Sequence, residues 1–355
     1  MRYRWTLLAA TALLATPLDA QELRTLSLPT DSLLGYPGVA RYIDYFTGPA
    51  RDRMSAWLDR AGSFRELIRS RLDEAGLPPE LEYMPLIESG YSNTAVSHAG
   101  AVGMWQFIPS TARQMGLKID RFVDERRDPF LATDAAVRHI RDLTGQFRSP
   151  LLAAAAYNAG AGRVSRGLGR LGPMADTGFS DGDFQRLSNK GLLAAETRDY
   201  IPKLLAATVI GRDPSRWGFK PRGESPLKAD SVPVGRAVSI SGAAKAMGLE
   251  PAELRALNPQ YVRGVTPPGR TSWLRVPEGL ADTLAIRLPE LPTARVFAAE
   301  RPRLKLGALI RVKSGDSVET IAERHGVRAE DLRRLNALPD WYELKPGQAL
   351  RLPVR

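Results

Sequence analysis

A glutamate at the end of an apolar run is the residue best placed to do acid–base chemistry. Glu88 follows the apolar residues 84–87 (MPLI), and a carboxyl group among apolar side chains is costly to ionise, so its pKa should rise. A carboxyl group that stays protonated near neutral pH can act as a general acid and protonate a leaving oxygen. Residues 103–107 (GMWQF) add an indole and an amide, which suit stacking on a sugar and hydrogen bonding to its substituents. Together these residues suggest cleavage of a glycosidic bond.

The position of a second acid is less clear from the sequence. A two-carboxylate glycosidase needs a second acid across the scissile bond. Glu82 precedes Glu88 but lies on a different face of a helix. Residues 124–129 (DERRDP) contain further acids, and their mixture of arginine and carboxylate favours a structural ion-pair cluster over catalysis.

Helices are predicted to position Glu88. A helix over 80–88 would place Leu81, Met84 and Glu88 on one face, three and four residues apart. The glycine-rich residues 90–108 predict a turn-rich stretch with a short hairpin. Further helices are predicted from the apolar spacing and the Pro and Gly stops. One helix begins at Pro109, and the others fall within 131–147, 151–159 and 189–211.

Four segments in order resemble the motifs of the soluble-lytic-transglycosylase (SLT) family, which cleaves the glycan strands of peptidoglycan. They are ESGYSNTAVSHAGAVGMWQF (88–107), which matches the first two motifs, AAYNAG (155–160) and ETRDYIPK (196–203). Residues 75–86 and 124–129 resemble one branch of it, membrane-bound lytic murein transglycosylase D, which carries C-terminal LysM modules. Four ordered motifs are a far more specific signal than any one alone.

The resemblance implies roles for individual residues. Glu88 would be the general acid and then the base, and Tyr200 the tyrosine that hydrogen bonds its carboxyl group. Substrate-binding residues would be Ser89, Met104, Gln106, Tyr157 and Asn158. Trp105 is expected in the core.

The implied reaction explains why one acid suffices. In the family, the C6 hydroxyl of N-acetylmuramic acid (MurNAc) attacks C1 of its own sugar. The β-1,4 bond to N-acetylglucosamine (GlcNAc) breaks and a 1,6-anhydroMurNAc end remains. Two alternatives stay open, because one fold can host different chemistry. They are a goose-type muramidase that uses water and a non-catalytic peptidoglycan-binding scaffold.

An internal repeat follows the first domain. Residues 238–277 and 312–353 both predict strand, helix, helix and strand, and the second helix ends in Leu-Asn. The pattern resembles LysM, a small α+β module (βααβ) whose implied ligand is GlcNAc-containing glycan. The first copy is degenerate because it lacks the Gly-Asp start and carries an insertion. Residues 218–235 are linker-like in their Pro and Gly content.

The predicted architecture is therefore mainly α, with a lysozyme-like α+β catalytic domain followed by small LysM modules. Its boundaries are a signal peptide at 1–20, a catalytic domain at 38–217, a degenerate LysM-like module at 232–278 and a LysM domain at 310–355.

Composition narrows the chemistry further. The 355 residues carry a formal charge of +11, three histidines and no cysteine. Without cysteine there is no disulfide, thiolate metal site or cysteine nucleophile, and we expect neither a metal nor another cofactor. The positive charge favours an acidic partner such as peptidoglycan. A nucleic-acid partner would not explain the motifs or the repeat, and the sequence predicts no particular protein partner.

The N-terminus predicts secretion. Arg2 and Arg4 precede the apolar residues 5–15, and Leu18-Asp19-Ala20 ends in a small residue, as at a signal-peptide cleavage site. No later segment is apolar enough to cross a bilayer. We expect export across the inner membrane and association with the cell wall in the periplasm, without an integral membrane segment after signal cleavage.

Overall fold

The computed structural model describes most of the chain in two compact units, Met1–Pro292 and Thr293–Arg355. The described residues are 33–97, 99–172, 179–294, 305–336, 338 and 344–354. The predicted signal peptide, 1–20, lies outside them. Over these residues, no helix is both long and apolar enough to span a membrane.

Ten α-helices form the greater part of the described first unit up to residue 217. They are α1 (Val39–Thr47), α2 (Arg51–Ala61), α3 (Arg65–Glu74), α4 (Met84–Ser89), α5 (Pro109–Gln114), α6 (Pro129–Phe147), α7 (Pro150–Ala159), α8 (Ala161–Gly169), α9 (Asp181–Asn189) and α10 (Ala195–Arg212). Short 3₁₀ helices cover Pro79–Tyr83, Glu125–Arg127 and Ser215–Trp217. The predicted helices at 109, 131–147, 151–159 and within 189–211 are confirmed to within a few residues.

The alanine-rich helix α7 is the centre of this unit. Pro150–Ala156 is buried at every position, and α6, α8, α9 and α10 all pack against α7. Four successive alanines present only methyl groups, so helices can approach from several sides at once. The last turn of α7, which holds Tyr157 and Asn158, is partly exposed and faces the site described below.

The segment leading to Glu88 differs from the single helix that the spacing predicts. Pro79–Tyr83 is a 3₁₀ helix, and the α-helix begins only at Met84. Pro85 has no N–H with which to continue a ladder of i to i−4 hydrogen bonds from the preceding turn, so the helix restarts there. Gly90 ends α4 at φ 59°, and a Cβ at that position would lie 2.1 Å from the Trp57 ring. Glu88 therefore occupies the last turn of a short helix fixed at both ends.

The predicted hairpin after α4 is present as isolated antiparallel bridges. Val102 pairs with both Val96 and Phe107. Gly103 lies between them at φ 85°, and a Cβ there would come within 1.9 Å of the Arg126 carbonyl oxygen. A side chain at this position is excluded by both its backbone conformation and the close approach of a second backbone segment.

A βααβ module completes the first unit. It comprises β1 (Ala229–Val234), α11 (Ile240–Ala246), α12 (Pro251–Leu257) and β2 (Ser272–Pro277), followed by α13 (Ala281–Arg287) and a 3₁₀ turn. The strands are antiparallel, with Val232 opposite Leu274. The predicted linker at 218–235 is wrong in its second half, because β1 occupies it. Pro233 is tolerated since a two-stranded sheet consists only of edge strands.

The second unit repeats this order with β3 (Lys305–Arg311), α14 (Val318–Arg324), α15 (Ala329–Leu335) and β4 (Ala349–Val354). Ile310 lies opposite Leu350 in an antiparallel pair. With a mainly helical first domain and two small strand-containing modules, the predicted fold class is confirmed.

One asparagine performs the same task in both modules. Asn258 donates from Nδ2 to the carbonyls of Leu254 and Arg275, and its Oδ1 accepts from the Arg275 N–H. Asn336 makes the equivalent three bonds to Leu332 and Arg351. The Leu-Asn repeat in the sequence therefore marks a clamp between the second helix and the last strand.

Residues 124–129 join the first module to the helical part of the same unit. Asp124 pairs with Arg126 through two hydrogen bonds of 2.8 and 2.9 Å. The Asp128 carboxylate caps α6 and also pairs with Arg275 of β2, in an almost fully buried contact. The backbone N–H of Asp124 donates to the Gln260 carbonyl at 2.9 Å. The prediction that this segment is a structural ion-pair cluster is confirmed, and its bond to the module was not foreseen.

Candidate active site

The predicted acid and tyrosine meet directly. Tyr200 donates from its hydroxyl to Glu88 Oε1 at 2.7 Å, although 112 residues separate the two in the chain. The tyrosine is 5% exposed and projects from α10, while Glu88 is partly exposed at the end of α4. These two helices pack against each other, which fixes the pair.

Burial sets the protonation of Glu88. Desolvation raises the pKa of its carboxyl group from 4.5 to about 7; the Tyr200 hydrogen bond lowers that pKa and the charge of Glu196 raises it. Burial also raises the pKa of Tyr200 well above 10, with the neighbouring Glu88 charge as a second cause. Tyr200 therefore stays a neutral donor, whereas Glu88 can exchange a proton near neutral pH.

Glu196 lies next to this site, and the sequence analysis did not predict it. Its charge raises the pKa of Glu88, and its own side chain is exposed in the first turn of α10. Glu196 and Tyr200 are four residues apart, so they lie on one face of that helix. The four-residue spacing from Tyr200, within the motif 196–203, is the sequence signal that marks Glu196 as a second acid near Glu88.

Tyr157 packs between the hairpin and α6. Its hydroxyl donates to the Trp105 carbonyl oxygen at 2.8 Å, and its ring lies 5.5 Å from the His139 ring and 6.1 Å from that of Phe107. Burial raises the pKa of Tyr157 well above 10, with the Glu88 charge adding to the effect. The tyrosine thus joins the last turn of α7 to the hairpin, near the predicted acid.

Ser89 and Met104 support the backbone around Glu88. Ser89 Oγ donates to the Met104 carbonyl at 2.8 Å and accepts from the Ser92 N–H at 3.0 Å. The Met104 side chain is fully buried, so in this conformation it offers no surface to a ligand. Trp105 is also fully buried and donates to Thr133 Oγ1 at 3.0 Å, as expected of a core residue. The predicted substrate contacts of Ser89 and Met104 stay predictions.

Gln106 has an unusual backbone conformation. It adopts φ 51°, which few residues other than glycine adopt, and its Nε2 donates to the Gly103 carbonyl at 2.8 Å. Such strain persists only where the surroundings impose it, and it is concentrated at functional sites. The side chain is partly exposed, and its predicted contact with substrate stays a prediction.

Asn158 is held at the end of α7. Its Oδ1 accepts from Thr197 Oγ1 at 2.9 Å, which leaves the amide N–H groups free of that bond. Both residues line a cavity of about 230 Å³, whose far wall carries Arg163, Arg166 and Arg170. Glu196 lines the same cavity. An open, basic cavity therefore adjoins Asn158 and Glu196.

The arrangement supplies one half-protonated carboxylic acid, one neutral hydroxyl donor and a polar cavity. Those groups suit proton transfer to a leaving oxygen and proton recovery from a hydroxyl. Among the residues with described positions, no three His, Asp or Glu side chains come together as a metal site would require.

Three protein-family models match the chain. Residues 67–173 match the transglycosylase SLT domain, 228–293 the LysM-like domain of lytic transglycosylase MltD, and 310–353 the LysM domain. The predicted resemblance to the SLT family with C-terminal LysM is confirmed by these matches.

Curated relatives agree with the family models. Membrane-bound lytic murein transglycosylase D of Escherichia coli (strain K12) is 32% identical over 301 residues, which is 82% of this chain and 64% of the relative. The chain thus spans somewhat less than two thirds of that protein's length. Peptidoglycan transglycosylase gp16 of Escherichia phage T7 is 35% identical over 142 residues, covering 39% of this chain and 10% of the relative.

Solved structures show weaker likeness. An inactive mutant of lytic transglycosylase Slt from Pseudomonas aeruginosa aligns with a TM-score of 0.35 and 24% identity, over 44% of this chain and 25% of that chain. The 70-kDa soluble lytic transglycosylase from Escherichia coli gives a TM-score of 0.34 and 24% identity, over 46% and 26% respectively.

Proposed function

We propose that this chain, which combines a transglycosylase SLT domain with a LysM-like and a LysM domain, is a peptidoglycan lytic transglycosylase. The observation that carries the proposal is the Glu88 carboxyl group, with its pKa raised to about 7 and a 2.7 Å hydrogen bond from Tyr200. A carboxylic acid with this pKa is available both to give and to take a proton at neutral pH.

The proposed reaction needs only this one carboxyl group. Protonated Glu88 donates its proton to the oxygen that joins C1 of MurNAc to GlcNAc, and the C1–O bond breaks. The C6 hydroxyl oxygen of the same MurNAc bonds to C1 and gives its proton to the Glu88 carboxylate. The acid is thereby restored, and a 1,6-anhydroMurNAc end is left on the strand.

Tyr200 assists by orienting the carboxyl group and by stabilising its charged form. Its hydrogen bond lowers the pKa of Glu88, against the larger effect of burial. The bond therefore favours proton release to the leaving oxygen. Because Tyr200 is almost fully buried, water does not compete for its hydroxyl.

The substrate contacts are assigned to the residues around the pair. The partly exposed amides of Gln106 and Asn158 are suited to hydrogen bonding with the N-acetyl and hydroxyl groups of the sugars. Ser89 and Tyr157 then hold the hairpin by donating to the Met104 and Trp105 carbonyls, and each hydroxyl oxygen can still accept a hydrogen bond from a sugar. The Met104 side chain packs in the core behind them.

Hydrolysis by water is the second candidate, and Glu196 is the observation that favours it. In that reaction the exposed Glu196 carboxylate, whose charge raises the pKa of Glu88, would activate the water molecule, as the second carboxyl group of a glycosidase does. This would be the goose-type muramidase outcome. A non-catalytic scaffold is the third candidate, and it predicts no turnover at all.

Product analysis separates the three candidates. Purified sacculi are digested with the wild-type protein and with Glu88→Gln, and the released muropeptides are identified by mass spectrometry. 1,6-Anhydro ends made only by the wild type are the expected result. Reducing ends that contain an added water, lost in Glu196→Gln, would establish a hydrolase. Binding without products from the wild type would leave only the scaffold.

The LysM domain supports a proposal for wall binding and location. We propose that residues 310–355 hold the enzyme on peptidoglycan glycan strands in the periplasm, after removal of residues 1–20. Deletion of 300–355 should reduce binding to sacculi more than it reduces cleavage of soluble fragments. Equal sacculus binding by both forms would remove the basis for this role.

A further inference from the structure

A second basic cavity lies on the first unit, away from the cavity beside Asn158. It has a volume of about 880 Å³ and separates α12 of the first module from the loop Tyr91–Thr94. We call it the module groove. The loop that forms one of its walls begins three residues after Glu88, so the groove and the candidate acid share a backbone segment.

Three arginines make the module groove strongly positive. They are Arg60, Arg127 and Arg255, and none of the described residues that line the groove is acidic. Arg60 and Arg255 use few of their donors inside the protein, whereas Arg127 also forms an ion pair with Asp124, with its Nε 3.7 Å from Oδ2. Arg60 donates to the Gly90 carbonyl at 2.6 Å, Arg127 to the Thr94 carbonyl at 3.3 Å, and Arg255 to Ser241 Oγ at 3.2 Å. A guanidinium has five N–H donors, so most of them remain for an anion.

Two atoms of the lining residues lack partners. Asn93 Oδ1 and Arg127 Nε are buried, and neither has a hydrogen bond to any described residue. Buried polar atoms without partners are rare and call for an explanation. Both atoms are closed to solvent and Arg127 Nε faces Asp124 Oδ2 at 3.7 Å, so the guanidinium groups most open to a ligand in the groove are those of Arg60 and Arg255.

Much of the remaining lining is apolar. It includes the buried Phe64, Ala256 and the exposed Val262. Sugar rings are uncharged and would leave the exposed guanidinium groups of Arg60 and Arg255 without a counter-charge. A short peptide with carboxylates and small apolar side chains matches both the arginines and the apolar walls.

We propose that the module groove binds the acidic stem peptide of peptidoglycan. The inference rests on the proposed function, since it names a second part of the same substrate. The first module then acts as one wall of a peptide site attached to the catalytic domain through Asp128 and Arg275. The KM for cleavage then depends on whether the strand carries stem peptides, and the reaction at Glu88 is unchanged.

The test uses the full chain and two substrates. Uncross-linked glycan strands are prepared with their stem peptides intact, and a second portion is stripped of peptides by an amidase. Arg255→Glu reverses the charge of an exposed residue on α12, so the fold is preserved. Lys245→Glu is the matched control, because it makes the same charge change at an exposed position of the module that does not line the groove. Titration of the free stem peptide into each protein measures binding without turnover.

For Arg255→Glu we expect KM on peptide-bearing strands to rise about tenfold, which is the loss of one charge-assisted hydrogen bond. Its kcat and its KM on stripped strands should match the wild type, and the free peptide should bind about tenfold more weakly. Lys245→Glu should behave as the wild type throughout. Equal KM changes on both substrates, or no effect together with no peptide binding by the wild type, would overturn the proposal. A chain that binds the peptide but cleaves neither substrate would instead overturn the proposed function alone.

Discussion

The raised pKa of Glu88 predicts that this residue destabilises the fold as the pH increases. Its carboxyl group has a pKa of about 7 in the native protein and the ordinary value of 4.5 when unfolded. Between these values the native state binds one more proton than the unfolded state. The free energy of unfolding therefore falls as the pH rises from 4.5 through 7, and it is constant with respect to this group above that range.

The size of the effect follows from the same two values. Each pKa unit corresponds to about 1.4 kcal/mol, so the loss across this window is about 3 kcal/mol. Glu88→Gln replaces the carboxyl group with an amide that stays neutral at every pH. The variant should match the wild type near pH 4.5 and exceed its unfolding free energy by about 3 kcal/mol at pH 8.

Chemical denaturation of both proteins at a series of pH values measures this difference. Other titrating groups, such as Asp128 and Asp181, occur in both proteins, so their effects cancel in the comparison. Glu66→Gln makes the same chemical change on an exposed face of α3 and should reproduce the pH dependence of the wild type. Parallel curves for wild type and Glu88→Gln would refute the reasoning, because they would mean that Glu88 ionises at its ordinary value.

Three further predictions concern the contacts around the site. Tyr200→Phe removes a hydrogen bond that lowers the pKa of Glu88, so kcat/KM should fall about tenfold or more. The high-pH limb of the pH–rate profile should shift to higher pH. A limb at the wild-type pH would contradict the role of Tyr200. Gly103→Ala should cost more than about 2 kcal/mol in thermal denaturation because its Cβ meets backbone, whereas Gly100→Ala, with similar φ and open space, should cost about 1 kcal/mol. Arg275→Ala leaves a buried carboxylate without its partner and should cost about 3 to 5 kcal/mol, with faster hydrogen exchange in β2; unchanged exchange would show that the ion pair does not hold the module.

Part of the site was predictable because its signals are local. The apolar run before Glu88 indicated a raised pKa, and burial is the largest cause of that shift. The proline and glycine stops predicted the helices after Pro109 to within a few residues. The prediction failed at Pro85, where one missing N–H divides a 3₁₀ helix from an α-helix, and over 229–234, where a proline-containing edge strand resembles a linker in composition.

Other features depend on packing between distant segments. Helical spacing places Glu196 on the same face as Tyr200, but only the packing of α10 against α4 brings that face to Glu88. The module groove likewise requires that residues 251–262 lie beside the loop at 91–94. No periodicity in either segment encodes that proximity.

The sequence alone predicted the candidate acid, and it determined the helical character of the first domain and the two copies of a βααβ module, because each depends on residue types at short, regular spacings. The tertiary structure decided which hydroxyl meets Glu88, which carboxylate repels it and how the first module is joined to the helical part of its unit. Those outcomes depend on contacts across more than one hundred residues, such as Tyr200 to Glu88 and Arg275 to Asp128. Desolvation by the packed helices then converts an ordinary carboxyl group into one that titrates near neutral pH.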